Sequence, residues 1–349
     1  MKQTLKILSM LLAAAMLLPS QALAADAQSV ADAAAVQESS YTPVTASNER
    51  VQGFYNDTAA LKAELVGRYN SGAMNADGGS LEIVQYNAQN GFAYAVSGVK
   101  GVLIAIDLKN GMSGSTVVDL TDNGKEYDLK KIVNVDGFTY GDMTSVAVSP
   151  DGKTLAVAIQ AKVYDKNGVV AIFTCKEDGS LQLVKTVSVG VQPDMVTFTP
   201  DGSKILTANE GEPRMGYTAE GAVDPVGSVS IIDADSLSVK TADFTVFDND
   251  RQSLVDKGIV LKKNTDPSVD LEPEYIACDN ATAYVTCQEA NAIAVLDLSS
   301  GAFTGIYSVG FEDYSKVAID IDKKDEKYAP KTYESLRGIR MPDGISLYE

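Results

Sequence analysis

Two copies of one turn constrain this chain more than any other feature. Ser149-Pro150-Asp151-Gly152-Lys153 and Thr199-Pro200-Asp201-Gly202-Ser203-Lys204 lie fifty residues apart. Each follows a short alternating apolar run (145–148 and 195–198), and each precedes another (155–159 and 205–208). Proline fixes φ, the aspartate side chain bonds its own backbone, and glycine takes φ > 0. Strand, tight turn and strand, repeated at such a period, predict an all-β array of the β-propeller kind.

Extending that unit to four strands gives a predicted blade at 81–86, 92–96 and 102–107, with its outer strand between 116 and 135. The second blade reads 143–148, 154–159, 169–174 and 181–189, and the third 195–199, 204–208, 228–233 and 238–246. The fourth reads 275–278, 282–287, 292–298 and 303–309. Third strands end alike, on Asp107, Asp233 and Asp297, which are expected to cap turns. No long stretch of helical period competes with this reading. The turns are unevenly spaced, and the excess falls in loops 210–226 and 248–271; long loops in a compact array are usually functional or mobile. Asp343, in Pro342-Asp343-Gly344-Ile345, matches Asp194 seven residues before its turn, so the sequence reads as stopping inside the first strand of a fifth blade. Residues 61–69 read as an outer strand without partners before it. The expectation is an incomplete propeller of about four blades plus the start of a fifth.

Lys2 and Lys6, an apolar run over 7–18, and Ala22-Leu23-Ala24 make residues 1–24 a predicted secretory signal, too short for a membrane span. Residues 25–50 read as a flexible spacer and 51–349 as the propeller domain. The chain is therefore expected outside the cell or on its surface, with no transmembrane segment after cleavage. Its net charge of −18 argues against nucleic acid or an anionic membrane as partner, and suits cations. Cys278 and Cys287 flank one predicted hairpin too far from its turn to face each other, so all three cysteines are expected to be small buried side chains. Histidine is absent from the sequence. That removes a Ser-His-Asp triad, a Cys-His pair and His-ligated zinc or copper.

The matched positions at the start of each first strand are Glu82, Thr144, Asp194, Glu274 and Asp343. All but Thr144 are carboxylates, and in a propeller they would face one axis. Glu210, Glu212 and Arg214 follow the second strand of the third blade on the same side; Gln288 and Glu289 follow that of the fourth, and Glu272 precedes its first strand. Clustered carboxylates without histidine suit calcium, which takes oxygen ligands in irregular geometry. The candidate metal ligands are Glu82, Asp194, Glu210, Glu212, Glu274 and Asp343, with Arg214 and Arg340 as charge clamps for a bound anion such as phosphate. A solvated rim, a structural calcium site and a catalytic metal site all remain open readings.

Several of these stretches resemble the choice-of-anchor I family. They are Glu82-Ile83-Val84, Asp142 to Gly152 (DMTSVAVSPDG), Gln192-Pro193-Asp194-Met195-Val196 and Ala208-Asn209-Glu210-Gly211-Glu212-Pro213. Glu272-Pro273-Glu274-Tyr275-Ile276-Ala277 and Gln288-Glu289-Ala290-Asn291-Ala292-Ile293-Ala294-Val295 complete the set, and the resemblance runs from about residue 61 to 349. It implies an exported bacterial protein with a seven-bladed, YVTN-like propeller. It also implies distant similarity to calcium-dependent, esterase-like phytase domains, and it carries over no catalytic residues. Two functions are then expected: a surface scaffold that binds a ligand or partner, with calcium as its cation, or an extracellular calcium-dependent phosphoesterase using carboxylates and arginine. No nucleophile–base pair is visible in the sequence, which favours the scaffold.

Overall fold

Alternation on either side of each Pro-Asp-Gly turn makes an antiparallel pair, and two further strands widen each pair into a four-stranded sheet. The structure is a computed structural model and describes residues 65–75, 79–109, 117–214, 223–322, 324–325 and 327–348. The expected signal segment and spacer lie outside the described residues.

A short strand β1 (Gly67–Arg68) comes first, followed by β2 (Val84–Asn87), β3 (Phe92–Ser97), β4 (Val102–Asp107), β5 (Val118–Asp119) and β6 (Gly124–Asp128). The first sheet has the order β2-β3-β4-β6, and β1 pairs with β5 in parallel. The second sheet joins β7 (Tyr140–Val148), β8 (Thr154–Ala161), β9 (Asn167–Cys175) and β10 (Leu181–Val191). The third joins β11 (Pro193–Phe198), β12 (Lys204–Asn209), β13 (Ser228–Asp233) and β14 (Val239–Asp243). The fourth joins β15 (Pro273–Cys278), β16 (Thr282–Cys287), β17 (Ala292–Asp297) and β18 (Ala302–Ser308). Each is an antiparallel meander, so the fold is all-β with propeller-like blades. A two-stranded pair, β19 (Phe311–Asp313) and β20 (Arg337–Ile339), follows.

The turns close as their residues dictate. Gly152 and Gly202, at φ 70° and 73°, donate N–H to Ser149 and Thr199 carbonyls at 2.8 Å. Asp151 and Asp201 accept from the backbone two residues on, Lys153 N and Ser203 N, and from the Ser149 and Thr199 hydroxyls. Asp107, Asp233 and Asp297 accept from following backbone N–H groups, as turn caps do.

Apolar layers lie between successive sheets. Tyr94, Leu103, Leu155, Val157 and Phe173 fill the first layer; Ala156, Val170, Ile205 and Ile232 the second. Leu206, Phe244, Val285 and Phe303 belong to the third, where the Phe244 and Phe303 rings stack at 4.3 Å. Two glycines let the sheets close together. A Cβ on Gly168, in β9, would sit 2.3 Å from Pro193 Cδ, and one on Gly227, just before β13, 2.1 Å from the Leu271 carbonyl and 2.8 Å from Pro273 Cδ. In both places a glycine near the start of a third strand faces the proline that opens the next sheet.

Three expectations need correction. The strand expected over 238–246 ends at Asp243, whose carboxylate takes the Thr245 N–H and hydroxyl and turns the chain into a helical segment, Thr245–Asp250. The outer strand expected over 61–69 is, in its described part, only β1. Residues 341–348 form no strand; the Asp343 carbonyl instead accepts from the Thr286 hydroxyl at 2.9 Å. The cysteines are free, and Cys287 pairs opposite Pro273 while Cys278 pairs opposite Ala283, at opposite ends of the hairpin.

Candidate ligand-binding face

The matched positions at the start of the first strands share a backbone irregularity. The register slips between Met143 and Ser145, between Pro193 and Met195, and between Pro273 and Ile276. Thr144, Asp194 and Glu274 therefore sit at β-bulges in three successive sheets. A bulge bends its strand and re-aims a side chain, and such irregularities are frequent beside binding sites. The bulges are locally supported: the Tyr275 N–H donates to Thr286 Oγ1 at 3.0 Å, and the Thr144 hydroxyl donates to the Pro193 carbonyl at 2.6 Å.

Around the bulge of the fourth sheet the acids crowd. Glu210, Glu272 and Glu274 are buried, and Glu212 is half-buried. The pKa of Glu272 is pushed up to about 9 by burial first, and then by the charges of Glu289, Glu210, Glu212 and Asp224. These acids thus lie within electrostatic reach of one carboxyl. Loop 210–226 delivers part of the group, and Lys262 Nζ, which pairs with Asp224 at 2.5 Å and with Asp270 at 3.5 Å, ties it to loop 248–271.

Arg214 lies on the side facing the second sheet. Its Nε donates to Gln192 Oε1 at 2.8 Å, and its Nη2 donates to Gln160 Oε1. Gln192 Nε2 donates to the Glu212 carbonyl at 2.6 Å, and the Glu210 N–H donates to the Gln192 carbonyl at 2.9 Å. Gln192 thereby links the arginine to the segment that carries Glu210 and Glu212. Asp142 is held above the usual carboxylate range by partial burial, opposed by its own Met143 N–H and by Lys130 and Arg214.

The remaining candidates lie elsewhere. Glu82 is exposed, ahead of a β2 that pairs without a bulge. Asp343 is half-buried against Thr286. Arg340 turns its guanidinium to the Val309 carbonyl at 2.8 Å and to Glu312 at 3.6 Å. The structure thus gathers Glu210 and Glu212 about Glu272, and gives Asp194 and Glu274 equivalent bulges. Gln160, Gln192, Asp142 and Asp224 also line this face, beyond the residues the sequence pointed to. The signals available in sequence were the Gln192-Pro193-Asp194 motif and the excess length of loop 210–226.

The donors present are carboxylate oxygens, the chemistry calcium takes. Among the described residues, however, no group of three or more acids or thiols is spaced to grip a metal ion. The donor chemistry suits the ion and the spacing does not.

Comparison with known proteins gives a family and little else. The model of the choice-of-anchor I domain matches residues 82–349. No curated protein matches the chain. Among solved structures, one described as a "putative 6-phosphogluconolactonase" from Bacteroides fragilis is 21% identical, with 48% of this chain and 39% of that one covered and a TM-score of 0.31. The chain therefore spans well under half of that structure's length. Among the described residues, no helix is long and apolar enough to cross a membrane.

Proposed function

The chain belongs to the choice-of-anchor I domain family, and from that premise we propose that it is an exported, cell-surface β-propeller-like domain that works as a binding scaffold. The observation that carries this reading is the crowding of Glu210, Glu212, Asp224 and Glu289 around buried Glu272. Carboxylates that raise one another's pKa in this way favour a proton or a cation among them. A cation, or a cationic group on a ligand, would relieve that repulsion. Calcium is the cation whose chemistry suits carboxylate oxygens, and it serves as the probe for that relief.

The test is a melting curve with calcium and with chelator, on the protein and on the Asp194→Asn/Glu212→Gln variant. The protein should melt higher with calcium, since a ligand at a hundredfold excess over Kd stabilises by about 2.7 kcal/mol, and the variant should lose most of that shift. No shift in the parent protein would remove the cation. A parallel arm offers a generic phosphoester; calcium-dependent turnover would replace the scaffold with a hydrolase.

A further inference from the structure

Among the described residues, Arg214 is anchored without an ion pair. Its two hydrogen bonds to described residues go to neutral amide oxygens, Gln192 Oε1 and Gln160 Oε1. These two glutamines are almost fully buried, at 1% and 4% exposure, while Arg214 itself stays open to solvent. The Gln192 amide cannot turn over freely, because its Nε2 is held by the Glu212 carbonyl; its oxygen is thereby aimed at the guanidinium. The Gln192 backbone is at φ 53°, a left-handed conformation that a non-glycine residue rarely adopts. Strain of this kind persists where surrounding structure enforces it, and here it places the amide. Asp142 feels the charge of Arg214, but among the described residues no carboxylate forms an ion pair with it.

We infer that Arg214, cradled by Gln160 and Gln192 across the second and third sheets, binds the oxyanion of an extracellular ligand, a carboxylate or a phosphoryl group. A guanidinium carries five N–H donors in a planar fork, so two amide contacts leave a donor edge free for two oxygens of an anion. A fork already fixed by buried acceptors loses less side-chain freedom on binding than a mobile surface arginine does. The net charge of −18 opposes a free anion, so affinity for the simple ion is expected to be weak and local to the fork. The assignment deepens the scaffold reading and rests on it only in placing a ligand on this face. It is measured without calcium, so that either can fail alone.

The experiment is a titration of the full chain, in chelator, with inorganic phosphate and separately with acetate, followed by NMR or calorimetry. Saturable binding of phosphate identifies a phosphoryl ligand, and of acetate a carboxylate one. Arg214→Gln should weaken that binding at least about tenfold. Gln160→Glu gives the guanidinium an internal carboxylate partner. It should abolish binding while the melting temperature holds or rises, which shows that the loss is not unfolding. Failure of both anions to bind, or binding retained in Arg214→Gln or in folded Gln160→Glu, would overturn the assignment.

Discussion

Glu272 pays for its position in a way that pH can read. Its folded pKa of about 9 stands far above the ordinary 4.5, so between those values the unfolded chain gives up a proton that the folded chain keeps. Stability from this residue is complete below the unfolded value and drains as pH rises toward the folded one, by at most about 1.4 kcal/mol per pH unit. Asp201 and Asp297 act in the opposite sense. Hydrogen bonds from turn N–H groups lower each to about 2, so their contribution holds above the ordinary 3.8 and is lost only as pH falls through the folded value. The two windows do not overlap. Melting temperature should therefore climb as pH is lowered from about 8 to about 5, and Glu272→Gln should flatten that climb and raise the value at neutral pH. A parent protein that melts higher at the alkaline end would contradict the buried, proton-holding Glu272.

The elements show why some of this was readable and some was not. Period-two alternation around Asp151 and Asp201 is a local signal, and the sheets it announces are present, with β13 and β16 matching their expected bounds. Thr144, Asp194 and Glu274 were matched by position, but the bulges that unite them arise from pairing with β8, β12 and β16, which one strand's sequence does not encode. The burial of Glu272 comes from distant chain, which the sequence around it does not encode. Arg214 stands out locally, but its partner Gln160 lies 54 residues away. The glycine–proline contacts between sheets are equally non-local, and they make a sharp prediction. Gly227→Ala would drive a methyl into the Leu271 carbonyl and should cost about 1–3 kcal/mol in urea denaturation. Gly344→Ala, with no heavy atom within 4 Å of its Cβ position, should change stability by less than about 0.5 kcal/mol.

At the scale of the molecule, the apolar layers between sheets determine how damage spreads. Each layer is shared by two neighbouring sheets, so the array resembles a one-dimensional chain of interfaces in which energy passes from neighbour to neighbour. Ile159 lies in the layer between the first and second sheets and Ile306 in that between the third and fourth, with a separate layer between them. Ile159→Val and Ile306→Val should each cost about 0.5–1.5 kcal/mol and should add in the double variant to within about 0.5 kcal/mol. Phe244→Leu and Phe303→Leu should not add, because their rings stack at 4.3 Å, and a coupling of about 0.5–1.5 kcal/mol is expected. Urea denaturation of the two double-mutant cycles makes the comparison. Strong coupling between the isoleucines would mean that packing strain passes across the intervening layer, and the layered description would have to be given up.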